Sequence, residues 1–282
     1  MKQLIFIFLI LSPVGSFAYI PQIDMIFDRL VKNQGKGTYS IDAEVTIDSK
    51  GQTFLTRENW IIEDIDNMRV KVAGEKDIKS SLSLIRIYKN GKRYFMDDDG
   101  NIKTLPLPED FIEPAFFIRT AKRFEKTLLD LGVLPQAYTK MRKPPIDINE
   151  PKYLNPSFLK LSRAGGLPSY FIGQSVSMGP ALWVGQDEFI IRRLRLSNQS
   201  EVFADEYQKY ANSIMLPQIR TVKWGSGNQA KIKILSVHSV SLTPKIKELF
   251  SSKTFAEEKG KKESINSVPE DPVLKDFYSR FR

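Results

Sequence analysis

Residues able to carry out covalent or acid–base chemistry are scarce in this 282-residue chain. It has no cysteine, and His238 is its sole histidine. The first fact excludes a disulfide scaffold, a thiolate zinc site, an iron–sulfur cluster and a cysteine nucleophile. The second excludes any centre that needs two imidazoles. His238 lies in the alternating run Ser236-Val237-His238-Ser239-Val240, which reads as a strand, and the sequence offers it no fixed Ser or Asp partner for general-base work. No Walker, dinucleotide-binding, nucleophile-elbow or H-E-x-x-H pattern occurs. Gly35-Lys36-Gly37-Thr38 lacks the spacing of a phosphate loop and follows a helix rather than a strand. Asp97-Asp98-Asp99 lacks the alternating ligands and closing glutamate of a calcium loop, so it reads as a turn. The basic clusters, Arg192-Arg193-Arg195 and Lys140-Arg142-Lys143, read as solvated faces, with anionic lipid or a protein partner as the other reading. The expectation is no catalytic residue, no metal and no cofactor.

The elements that would position a binding surface begin with an export signal. Lys2 precedes the apolar run Leu4 to Leu11, and Ser16-Phe17-Ala18 ends the stretch, which is the layout of a leader cleaved after Ala18. The run is too short for a membrane span. The product is expected to be soluble and exported, hence periplasmic in a Gram-negative bacterium. Nucleic acid is an implausible partner there. The net charge of +9, or 41 − 33 = +8 without Lys2, favours anionic partners.

Ile23, Ile26, Phe27, Leu30 and Val31 form one face of a helix. Tyr39, Ile41, Ala43, Val45 and Ile47 then alternate with polar residues, as a strand with one wet face requires. Strands follow at Thr53 to Ile62 and around Met68, Val70 and Val72. Asn90-Gly91 predicts a type I′ hairpin that sets Ile87 opposite Tyr94. Phe111 to Gly132 reads as an unusually aromatic helix, either core or a lid over an apolar ligand. A Pro-rich crossover spans about 135–156, and a second series of short strands runs from Phe158 to Val240. Residues 19–252 read as one domain, and 253–282 as a charged, mobile tail with a short helix at Val273 to Phe281. The order helix, strands, helix, strands predicts an α+β fold.

Four stretches resemble the LolA/LolB-like family of periplasmic outer-membrane lipoprotein carriers and receptors. They are the first helix running into Gly37 to Val45, the Trp60 strand followed by Met68-Arg69-Val70, the hairpin Ile87 to Tyr94, and Pro217-Gln218-Ile219-Arg220 leading to Ile232 to Val237. The resemblance implies an incomplete antiparallel β-barrel (half-barrel) with helices covering the concave face. It also implies non-enzymatic carriage of lipid or lipoprotein acyl chains. Ile41, Val45, Trp60, Met68, Val70, Ile87, Tyr94, Phe116, Phe117 and Phe124 are the expected apolar cleft and lid residues. Two features depart from the family. Trp60 is followed by Ile61-Ile62-Glu63-Asp64, without the carrier's lid-latching arginine, and no cysteine can bear the receptor's lipid anchor. The alternative is a structural or interaction component of a cell-envelope complex that uses the basic clusters.

Overall fold

The structure, a computed structural model, describes residues 20–49, 51–97, 99–108, 110–138, 158–259 and 266–282. The expected leader, most of the Pro-rich crossover and the Lys140-Arg142-Lys143 cluster lie outside these residues.

Helix α1 (Ile23–Lys32) leads into a first meander of β1 (Thr38–Ser49), β2 (Gln52–Asp64), β3 (Asn67–Gly74), β4 (Ser83–Lys89), β5 (Lys92–Met96) and β6 (Ile102–Pro106). After helix α2 (Ala121–Asp130) comes a second, made of β7 (Leu159–Ala164), β8 (Leu167–Gly173), β9 (Ala181–Gly185), β10 (Ile191–Arg195), β11 (Glu201–Lys209), β12 (Met215–Trp224) and β13 (Asn228–Val240). Helices α3 (Pro244–Glu248) and α4 (Thr254–Lys259), a two-residue strand β14 (Asn266–Ser267) and helix α5 (Pro272–Arg280) close the chain.

All the strands join one antiparallel sheet, ordered β6-β5-β4-β3-β2-β1-β13-β12-β11-β10-β9-β8-β7, with β14 added to β4. The two meanders meet only where β1 pairs β13, and β6 does not pair β7, so the sheet curls without closing. The period-2 pattern explains the curl's inner face. Tyr39, Ile41, Ala43, Val45 and Ile47 of β1 are all buried, while the residues between them are partly open. Helices α1 and α2 pack on this face, and Phe27 meets Phe124 edge to face at 5.4 Å.

Two turn geometries hold the arrangement. Asn90 and Gly91 both have positive φ, 51° and 74°, and Ile87 pairs with Tyr94, as a type I′ hairpin demands. Gly35, with φ 65°, ends the α1 connection. A Cβ there would stand 2.2 Å from the Tyr39 hydroxyl and 2.6 Å from the Ile214 Cβ, so only glycine lets α1 sit this close to the sheet.

The expected helix over Phe111 to Gly132 is instead two pieces, a single 3-10 turn at Glu113–Phe116 and α2 from Ala121. Pro114 suits the start of a short turn but cannot donate within a longer helix. Phe111, Ile112, Phe116, Phe117 and Ile118 are all buried, a spread of directions that one helical stripe cannot serve.

Candidate ligand-binding site

The inner face of a curled sheet exposes more apolar surface than two short helices can cover, so something else must fill the hollow. Eight of the ten expected cleft and lid residues do share this space. Ile41, Val45, Trp60, Met68, Val70, Phe116, Phe117 and Phe124 belong to one core cluster and are each no more than 4% exposed. Ile87 and Tyr94 lie on the opposite face of β4 and β5, packed with Ile85 and Met96 against Phe255 of α4. Strand alternation separates them, since Tyr88 and Arg86, not Ile87, face inward with Leu84. The space bordered by Ile41, Trp60, Phe116 and Phe117 amounts to about 10 Å3, room for one water at most.

The filler is α5. Asp271 caps the helix by accepting from the amides of Val273 and Leu274, both at 2.9 Å, and itself accepts from the Ser49 hydroxyl at 3.0 Å. Leu274, Phe277, Tyr278 and Phe281 then enter the core, each no more than 1% exposed. Phe277 and Phe281 lie 5.6 and 5.4 Å from Trp224 of β12, and the Trp224 indole donates to Asp276 at 2.7 Å. The Tyr278 hydroxyl bonds Thr56 of β2 at 2.6 Å. Residues 253–282, expected as a mobile tail, thus supply in their described part the plug of the hollow. The helix itself is legible in the sequence; its destination is not.

A buried charge cluster fastens the plug. Arg282, fully buried, donates from Nε to both carboxylate oxygens of Glu58, at 2.9 and 3.0 Å, and pairs with Glu113 at 3.1 Å. Arg220 donates to Glu113 at 2.7 Å, and the Trp60 indole donates to Glu58 at 2.9 Å. Two carboxylates face two guanidiniums in an apolar surround, so each ion depends on the others. Burial alone would raise the Glu113 carboxyl, but Arg220 and Arg282 outweigh it and hold it below the usual range. Burial pushes the Tyr278 and Tyr88 hydroxyls up, keeping both neutral. Arg282 also stands 5.2 Å over the Trp60 ring. An arginine therefore does reach the strand tryptophan, from more than two hundred residues along the chain rather than from the same strand.

An open cavity of about 780 Å3 lies beside the plugged hollow. Its apolar lining comes from both meanders: Leu107 and Phe111 follow β6, Leu194 and Leu196 end β10, and Leu131 follows α2. Polar groups of α2 also line it, with Arg123 paired to Asp66 and with Lys126 and Asp130 nearby. None of the ten expected residues lines this cavity. The aromatic segment beginning at Phe111 was the signal that pointed towards it; the contribution of β10 carries no local signal.

The other sequence clusters resolve structurally. Arg195 is buried and donates to the carbonyls of Ser175, Val176 and Gly179, while Arg193 pairs with Glu201 and stacks 4.5 Å over Trp183. His238 is exposed on β13. Asp97 accepts from the Asn101 amide in a turn. Among the described residues, no group of three or more His, Cys, Asp or Glu could hold a metal ion.

Solved structures identify the architecture. A LolA superfamily protein from Nitrosomonas europaea superposes with a TM-score of 0.52 at 12% identity, covering 83% of this chain and 100% of that one. The chain has a LolA-like fold. A domain from Vibrio parahaemolyticus assigned to outer membrane lipoprotein sorting aligns with a TM-score of 0.48 at 10% identity, over 85% of this chain and 98% of that one. No family model matches the sequence, and no curated protein does. In this LolA-like fold the half-barrel hollow is occupied by the chain's own α5, and the open volume lies at its side.

Proposed function

We propose that this protein is an exported, non-enzymatic carrier that binds the acyl chain of a lipid or lipoprotein. The observation that carries the reading is the cavity of about 780 Å3, whose lining includes Leu107, Phe111, Leu131, Leu194 and Leu196. Its size falls within the roughly 300–1,000 Å3 typical of small-molecule sites. At about 25 cal/mol per Å2, an acyl chain burying a few hundred Å2 there gains several kcal/mol, enough for reversible carriage. Such binding needs no catalytic group. The LolA-like fold and the leader-like N-terminus support a periplasmic setting in a Gram-negative cell, and no described helix is long and apolar enough to cross a membrane. The eight expected cleft and lid residues that share the inner face would meet a guest only if α5 withdrew, and Ile87 and Tyr94, on the opposite face, would not.

Native mass spectrometry and lipid extraction of the purified protein test the reading. Acyl chains should be recovered, and delipidated protein should take them up again. Failure of uptake by folded, delipidated protein would sink it.

The filled hollow favours a second reading, a structural component of an envelope complex. Pull-down of one specific envelope protein, with no lipid retained, would favour that reading over carriage.

A further inference from the structure

A second groove lies at the far edge of the inner face, where β4 and β5 run beside β14 and α5. Its volume is about 500 Å3, and it is lined by Arg86, Arg93, Phe95, Asn266, Lys275 and Tyr278, among others. The other buried arginines among the described residues are compensated. Arg282 has Glu58 and Glu113, Arg220 has Glu113, Arg69 has Glu258, and Arg195 has three backbone carbonyls. Arg86 is not. Only 9% exposed, it donates to the Asn266 side-chain oxygen at 2.6 Å and to a carbonyl at 3.4 Å, and among the described residues it has no carboxylate partner. Its Nε is buried without a hydrogen-bond partner, as is the Nε of Arg93. Arg93 donates to the backbone oxygens of Ser279 and Arg282, at 2.8 and 2.6 Å, and among the described residues pairs with no Asp or Glu side chain. Both guanidiniums flank Phe95, at 4.8 and 5.9 Å from its ring. Burial draws Arg86 down to about 10, and the like charge of Arg93 adds to the fall. The one acid lining the groove, Glu270, is exposed and already paired with Lys275.

Two adjacent guanidiniums, neither paired with an acidic side chain among the described residues and both held in place by Phe95 and by backbone oxygens, form a cradle for an oxyanion. We infer that the Arg86–Arg93 groove binds a phosphate group, supplied either by free phosphate or by the headgroup of an anionic phospholipid. The inference does not rest on acyl carriage, because this groove and the apolar cavity share no lining residue.

Calorimetric titration of the full chain with inorganic phosphate, and separately with soluble short-chain phosphatidylglycerol, reads the site directly. Co-sedimentation with phosphatidylcholine vesicles, with and without phosphatidylglycerol, reads the lipid source. Binding of either probe should fall about tenfold or more in Arg86→Gln and in Arg93→Gln, the loss expected for one charged hydrogen-bonding group. Lys160→Gln, which removes the same charge on β7 at the opposite edge, should leave binding unchanged. Phosphatidylglycerol binding alone identifies a headgroup site; phosphate binding alone identifies a free-ion site. In the unmutated protein, phosphate or phosphatidylglycerol should also protect Arg93 from phenylglyoxal, mapped by peptide mass spectrometry, which covers the case of a variant that fails to fold. No binding of either probe by the folded protein, or binding that both arginine variants retain, overturns the inference.

Discussion

The plugged hollow and the open cavity beside it are built from the same kind of residue and behave in opposite ways. The hollow is lined by Ile41, Trp60, Phe116 and Phe117 and retains about 10 Å3; the cavity is lined by Leu107, Phe111, Leu131 and Leu194 and retains about 780 Å3. The difference lies in the covering segments. Glu113, Phe116 and Phe117 close the first space, Phe277, Tyr278 and Phe281 fill the rest of the same core, and no described element fills the second. An apolar lining alone therefore does not leave room for a guest; among the described residues, the room that remains depends on which segments pack over it.

The comparison breaks most readily at the charge cluster. Arg282→Met removes the cation shared by Glu58 and Glu113 and leaves buried carboxylate charge uncompensated. Urea unfolding should show a loss of about 3–5 kcal/mol. Retention of full stability would mean that the plug is not fastened by this pair. The cavity responds differently. Leu131→Glu places a charge on a half-buried wall, so acyl uptake should fall by about tenfold or more while stability changes by under about 1 kcal/mol. Equal uptake by this variant and the unmutated protein would show that lipid uses another surface.

The smallest effect is a pH dependence. Glu113 is held below its ordinary 4.5 in the folded protein, so its stabilisation is complete above that value and fades as the pH falls through the lower, folded one. Urea midpoints should therefore drop below about pH 4.5. In Glu113→Gln the same acid limb should be shallower, on a lower baseline. An unchanged acid limb in that variant would assign the sensitivity to other carboxylates.

Much of the fold was legible residue by residue. The alternation of Tyr39 to Ile47, the Asn90-Gly91 turn and the apolar stripe of α1 are local patterns whose periods match their elements. The segment after Phe111 misled because aromatic spacing fits a helical stripe, while Pro114 and the need to bury five large side chains in several directions divide it into a turn and α2. The candidate site was less legible. Ile87 follows the same apolar pattern as Val70, yet only the pairing of β4 with β5 and the arrival of Phe255 decide which side of the sheet it faces.

Local period and turn chemistry in the sequence by itself determined an antiparallel α+β arrangement with a short helix at its end, because those signals need only neighbours a few residues apart; the half-barrel was what the family resemblance implied. What fills the half-barrel was decided in three dimensions. Glu58 and Arg282 stand 224 residues apart, and nothing near either announces the other. Their pairing exists because a curled sheet brings distant segments to one water-poor centre, where apolar surface must be covered and a buried charge is costly without an opposite charge.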